Sequence, residues 1–263
     1  MGSRLATLCY DIPMTQAGSG YYEDAAFYDA TARGVPGDIE FYRDLGRSSG
    51  GPVVELGVGT GRIAIPTAQT GVEVTGIDLA PAMLEVARRR AEEAGVGERL
   101  HLLEGDMRTF TVSTPVPLVT IPFRTFLHNL SEDDQHATLR AARRALRPGG
   151  RLALNVFNPD LARIARWMGK GPRYEEPFDA AGRVAAHHDY RPEGHLVTSR
   201  LRWRDEAGRV RRATLTLRYV FREEMAGLLA EAGFEVETLH GDFQGAAFRE
   251  ASPEMVWIAR RIR

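Results

Sequence analysis

Glycines and acids stand in this chain at spacings suited to holding a small ligand. Residues 53 to 61 read Val-Val-Glu-Leu-Gly-Val-Gly-Thr-Gly. An apolar run meets Gly57, Gly59 and Gly61, with Glu55 two residues ahead of the first glycine. Glycine lets the backbone turn sharply there, and a ligand can lie against it with no Cβ in the way. Asp78 follows 21 residues after Gly57 and closes a second apolar run. A carboxylate is an acceptor for two hydroxyls at once. Asp106 closes a third run. A dinucleotide fingerprint, G-x-G-x-x-G, requires glycine at the position held by Arg62.

Proton chemistry has fewer candidates. Ile121-Pro122-Phe123-Arg124-Thr125-Phe126-Leu127-His128-Asn129 follows a fourth apolar run. Histidine titrates near neutral pH, which makes His128 the first candidate base. The competing role for His128 is to cap the helix that starts near Ser131. His240 and Asp242 are the next candidates. His187 and His188 are adjacent on a predicted strand, so at most one faces a pocket. No His/Cys cluster has metal-ligand spacing.

The elements that must position these residues alternate. Strands are predicted at 53–56, 72–77, 100–103, 117–121 and 152–157. Helices are predicted at 62–70, from Pro81 to about 94 with Met83, Ala87, Ala91 and Ala94 on one face, and at 132–147 after Ser131. This rhythm implies an α/β fold, a doubly wound and mostly parallel sheet. Ligands bind such sheets beyond the carboxyl ends of the strands. After Pro159 the rhythm changes. Three strands at 183–191, 195–204 and 209–220 suggest an antiparallel meander. A helix (223–232) and two strands (234–240 and 254–261) complete the chain. The expected organisation is an N-terminal helical lid (1–48), a core (49–160 and 221–263) and an antiparallel insert (161–220) covering the substrate.

Composition narrows the function. The chain has 263 residues, 43% hydrophobic and 26% charged, with formal net charge −1. That balance gives no footprint for nucleic acid or an anionic membrane. Nearly every basic residue is arginine, alongside abundant alanine and glycine, a bias spread over the whole chain. Cys9 is a lone cysteine, which fits a reducing, cytoplasmic setting. No apolar run reaches spanning length, and no signal-peptide pattern opens the sequence.

The segment E-x-G-x-G-x-G, followed by Asp78 and Asp106 in order, resembles the seven-stranded, Rossmann-like (class I) S-adenosylmethionine-dependent methyltransferases. Val58 departs from the Cys or Ala commoner in that family. The resemblance covers residues 50 to 160. The tail is loosely similar to small-molecule members such as glycine N-methyltransferase and amino-sugar N-methyltransferases. It implies that Asp78 takes the ribose hydroxyls and that Asp106 takes the adenine amino group, with Met107 against the ring. Glu55 and the glycine loop would lie at the methionine end, with Leu79 and Pro122 completing the cofactor set. Tyr28, in the aromatic-acid segment from Tyr21 to Asp29, would be a lid residue near the cofactor carboxylate, with Arg33 a further partner for that carboxylate. Phe123, Arg124 and Tyr219 would shape the substrate site. The implied activity is metal-independent methylation of a small molecule, at an amine or hydroxyl of a secondary metabolite or sugar. The alternatives are a C-methyltransferase of a quinone-like acceptor and a non-catalytic S-adenosylmethionine-binding module. The expected state is a monomer or homodimer.

Overall fold

A computed structural model describes residues 21–160, 164, 174–176, 184–204 and 207–262. Cys9, with residues 1–20 of the predicted lid, lies outside the described residues, as does most of 161–183. In chain order the strands are β1 (Val53–Leu56), β2 (Val74–Asp78), β3 (Leu100–Glu104), β4 (Val116–Ile121), β5 (Leu146–Phe157), β6 (Tyr174–Glu176), β7 (Val184–Arg191), β8 (Leu196–Arg204), β9 (Val210–Arg218), β10 (Phe234–His240) and β11 (Glu254–Arg261). The helices are α1 (Ala25–Thr31), α2 (Asp38–Ser48), α3 (Ala64–Gln69), α4 (Pro81–Glu93), α5 (Glu132–Ala145) and α6 (Arg222–Glu231).

Seven strands form one sheet in the order β10-β11-β5-β4-β1-β2-β3. β1 to β5 pair in parallel. β11 is antiparallel to both of its neighbours, so β10 runs in the direction of β5. Both faces are covered. Every residue of β1 and β4 is buried, which is why their sequences are near-continuous apolar runs, interrupted only by Glu55 and Thr120, and not alternating ones. Val54, Leu56, Val119 and Ile121 pack with α5 and α6 through Leu139, Ala142, Met225 and Leu229. Val53 and Leu118 point the other way, to Tyr42, Ala68, Leu84 and Ala91 of α2, α3 and α4. The fold is α/β and Rossmann-like, as predicted.

Local signals explain the boundaries. Pro81 opens α4 at its first turn, where its missing N–H is not needed. Ser131 caps α5 by accepting from Asp134 N–H at 3.1 Å. α5 stops at Ala145, two residues before the predicted end, and Leu146 is extended with ψ 144°. Arg147 precedes Pro148, and a residue before proline is pushed out of the helical region. β5 therefore starts at Leu146 and runs through Pro148-Gly149-Gly150. The β4–β5 register shifts between Val116 and Leu118.

The insert is a second sheet, β6-β7-β8-β9, antiparallel throughout. Among the described residues it has four strands where three were predicted. β6 is only three residues long, too short to leave a periodic signature. α2 also lacked a separate sequence prediction.

Candidate functional site

The glycine loop is built by β1 ending and the chain reversing. Gly57 and Val58 N–H both donate to the Ile77 carbonyl, at 2.7 and 3.1 Å. Gly57, Gly59 and Gly61 have φ of 69°, 55° and 83°, in the left-handed region that glycine enters without steric cost. A Cβ on Gly57 would overlap the Thr125 side chain. Gly57→Ala is therefore expected to lower the unfolding free energy by about 1–3 kcal/mol, the cost of a strained backbone position. A urea titration reads this, and an unchanged midpoint would mean that Thr125 yields freely. Val58 is accommodated by Gly76, where an added Cβ would come within 2.7 Å of Val58 Cγ2.

Asp78 ends β2 beside that loop. Its Oδ2 accepts from Gly59 N–H at 2.8 Å and its Oδ1 from Ala80 N–H at 2.9 Å. Burial raises its pKa, and the backbone donors oppose the shift. An ionised carboxylate has about four lone-pair sites. Lone-pair capacity remains beyond that which the backbone donors Gly59, Ala80 and Leu79 engage, so the residues present fit a ribose.

A cavity of about 1730 Å³ opens at this rim. Gly57, Gly59, Asp78, Leu79 and Met107 line one part of it, and Tyr28, Phe123, Arg124 and His128 another. Other predicted residues stand back. Gly61 packs against Ile65 and Ala87. Glu55 is buried in the sheet, and burial pushes its carboxyl up to about 8 despite the nearby Arg62. Pro122 precedes the lining residue Phe123 and does not itself line the cavity. Asp106 accepts from Arg108 three times, through its backbone N–H at 2.8 Å, Nε at 3.0 Å and Nη2 at 2.6 Å. These contacts hold its pKa down against the upward pull of burial. Tyr219 is buried with its ring stacked on His195 at 5.1 Å, and Phe221 lines the cavity instead. His240 bridges Ala247, while Asp242 accepts from Gln244 and Ala246 N–H in a turn. Neither lines the cavity, because the loop after β10 folds onto itself.

The loop after β4 is strained. Phe123 and Arg124 are consecutive residues at φ 52° and 64°, rare for large side chains. Two ion pairs hold them. Arg62 grips Asp38 of α2 at 2.8 and 2.7 Å and lies 5.0 Å over the Phe123 ring. Arg124 Nε donates to buried Glu254 at 3.1 Å. Glu254 also accepts from Asn155, which accepts from Tyr42 Oη at 3.1 Å. That chain, missed at the sequence level, ties the strained loop to β5, β11 and α2.

His128 faces the cavity from a 3-10 turn, Thr125–His128. Ser131, and not His128, caps α5. The His128 Nδ1 lies 3.0 Å from the Thr125 carbonyl, and Nε2 contacts Tyr22 Oη. A carbonyl only accepts, so Nδ1 carries the proton and Nε2 receives the Tyr22 hydroxyl proton. Burial depresses the His128 pKa to about 4, which keeps the ring neutral. Tyr22 was missed as a site residue. It stood in view in the Tyr21–Asp29 segment, but its partner is 106 residues away.

The N-terminal segment reaches this pair through α1. Asp29 accepts from Thr60 of the glycine loop at 2.9 Å and from Arg90 of α4 at 2.6 Å. Phe27 stacks on Trp203 of the insert at 5.7 Å, and Asp24 pairs with Arg211. Of the adjacent histidines, His188 faces the cavity and His187 lies 3.3 Å from Asp189. Among the described residues, no group of three or more His, Cys, Asp or Glu side chains is placed to hold a metal ion, and no helix is long and apolar enough to cross a membrane.

Residues 53–150 match the family model described as a methyltransferase domain. The CcbJ methyltransferase from Streptomyces caelestis is 26% identical, with 92% of this chain and 98% of that one covered and a TM-score of 0.80. The SAM-bound amino pentose methyltransferase CalS10 from Micromonospora echinaspora is also 26% identical, covering 90% of this chain and 97% of that one, with a TM-score of 0.65. Among curated relatives, the cypemycin N-terminal methyltransferase of a Streptomyces species is 26% identical over 81% of this chain and 84% of its own. The chain spans 66% of the ubiquinone biosynthesis O-methyltransferase of Xanthomonas euvesicatoria that it also matches. Residues 53–150 are thus similar to a methyltransferase domain, and the sheet order with the loop around Asp78 is of the class I, Rossmann-like kind.

Proposed function

We propose that this protein methylates an amine nitrogen of a small, secondary-metabolite-like acceptor. The observation that carries the reading is one cavity that holds the glycine loop and Asp78 together with the Tyr22–His128 pair. At about 1730 Å³ it exceeds the roughly 300–1,000 Å³ of a one-ligand pocket and has room for donor and acceptor together. Asp78 would hold the ribose, Met107 and the Asp106–Arg108 unit would frame the adenine, and Tyr28 would lie near the methionine end. The insert and the N-terminal segment would close the cavity from water.

S-adenosylmethionine supplies, when bound, a methyl group on a sulfonium. The acceptor nitrogen attacks that carbon with its lone pair, the carbon–sulfur bond breaks, and its electron pair stays on sulfur. A neutral amine needs no strong base for this step, and the product ammonium loses its proton to solvent. A hydroxyl or carbon acceptor must be deprotonated, and His128 is a weak base with its lone pair already engaged. Its part is to hold Tyr22, whose oxygen then accepts the acceptor's N–H. The cypemycin N-terminal methyltransferase, whose name gives an N-terminal acceptor, supports the nitrogen reading. A non-catalytic binding module would have no use for so large a cavity.

Incubation with labelled S-adenosylmethionine and a panel of amines, phenols and sugar nucleotides tests this, with label expected in amines. Label in phenols alone would overturn it. His128→Ala should lower kcat about 100-fold, the scale of a misplaced reacting group. The pH profile between 6 and 8 should keep its shape, because a pKa of about 4 lies below that window. A wild-type titration near 6.5 that vanishes in the variant would make His128 the base.

A further inference from the structure

The insert turns one face of its sheet to the cavity, and that face has a pattern. Cross-strand partners share a face, and the register pairs Tyr190 with Val197, Ala186 with Leu201, and Val197 with Leu217. These five, with Leu215, line the cavity and form an apolar wall with a tyrosine at one end. One cross-strand pair interrupts it. His188 and Ser199 stand directly opposite one another on β7 and β8, with His188 Nδ1 2.7 Å from Ser199 Oγ. Ser199 is 8% exposed. Among the described cavity-facing residues of β7, β8 and β9 there is no Asp, Glu, Lys or Arg.

A hydroxyl has one donor and two lone pairs. Whichever tautomer His188 adopts, the bond between the pair uses one of these, and Ser199 keeps capacity for a partner in the cavity. Ser199 is the buried member of this pair, and a ligand that supplies its counterpart gains a hydrogen bond that a ligand without one does not.

We propose that His188 and Ser199 form the specificity anchor of an apolar acceptor wall, and that the acceptor is an amine with an apolar body carrying a hydrogen-bonding oxygen. This rests on the amine-methylation reading and narrows it. A free amino sugar, polar on every face, does not match the wall.

The probes are N-methylalkylamines of four to ten carbons, the same series bearing a terminal hydroxyl, and glucosamine. Each is titrated by calorimetry into the protein saturated with S-adenosylhomocysteine. One length of the hydroxyl series is expected to bind about tenfold tighter than its unsubstituted parent, the factor that 1.4 kcal/mol of hydrogen bond represents. Ser199→Ala and His188→Ala should erase that factor while leaving the affinity of the parent amine and of S-adenosylhomocysteine unchanged. Ser199→Thr should restore it. The proposal is overturned if glucosamine binds tighter than the alkylamines, if the hydroxyl gives no gain at any length, if the gain survives both substitutions, or if no alkylamine binds. Amines that bind as expected but are never methylated would sink the methylation reading and leave the wall standing.

Discussion

Asp78→Ala is expected to weaken S-adenosylhomocysteine binding by two to four orders of magnitude. The wild-type carboxylate is fixed by Gly59 and Ala80 N–H, so no ordering cost remains when a diol arrives. Hydrogen bonds to a charged group contribute about 1.5–3 kcal/mol each, and the two ribose hydroxyls make two. Every 1.4 kcal/mol is tenfold in affinity. Removing the side chain also leaves Gly59 N–H without its acceptor, so the glycine loop loses a constraint at the point where the ligand must fit. Asp78→Asn separates these effects. Its amide oxygen can still accept from Gly59, which preserves the loop, while the charge and one acceptor face are lost. Its affinity should fall between wild type and Asp78→Ala. Calorimetry reads all three, and an Asp78→Ala constant within threefold of wild type would remove Asp78 from the ribose role.

The parts of this site that could be read in the sequence are those whose partners are local. The loop from Gly57 to Gly61 bends because of its own residue types, and Asp78 caps its own strand end, so both keep their meaning without the rest of the fold. The parallel core was legible because a buried strand must be a near-continuous apolar run. Residues whose role depends on a distant partner were not legible. Arg62 excludes one fingerprint as a letter, but its work, gripping Asp38 and covering Phe123, needs α2 to be in place. Asp106 reads as a lone acid, but Arg108 is wrapped around it and is itself held by Asp134 of α5, 26 residues on. Tyr219 reads as a pocket residue because strand alternation alone does not say where β9 ends. It lies one residue past Arg218, where the chain leaves the sheet for α6 and turns the ring toward His195. The meander itself was legible from its turns and its strand-forming residues. Which of its faces meets the cavity was not, and only the register separates His188 from His187.

Glu55→Gln should abolish a large fall in stability that the wild-type protein suffers as pH rises. In the folded chain burial holds the Glu55 carboxyl at about 8, against an ordinary value of 4.5. Asp78 and Asp38 push it further up, and Arg62 only partly offsets them. The folded protein thus binds a proton that the unfolded chain releases. This contribution is fully present below pH 4.5 and is lost as pH rises through 8. Its full size is about 5 kcal/mol, taking roughly 1.4 kcal/mol for each tenfold in protonation ratio. Glutamine has the same shape and cannot ionise. Urea unfolding at pH 5, 7 and 9 should therefore give a variant that gains steadily on wild type, and parallel curves would sink the idea. The same group links stability to the proposed ligand. An opposite charge nearby favours the carboxylate, so a cationic amino group brought to the methionine end should expel the proton. S-adenosylhomocysteine binding near pH 7 is then expected to release protons, seen as a dependence of calorimetric heat on buffer ionisation enthalpy. Glu55→Gln should remove most of that dependence. Unchanged proton release in the variant would assign the proton to another group and separate Glu55 from the ligand's methionine end.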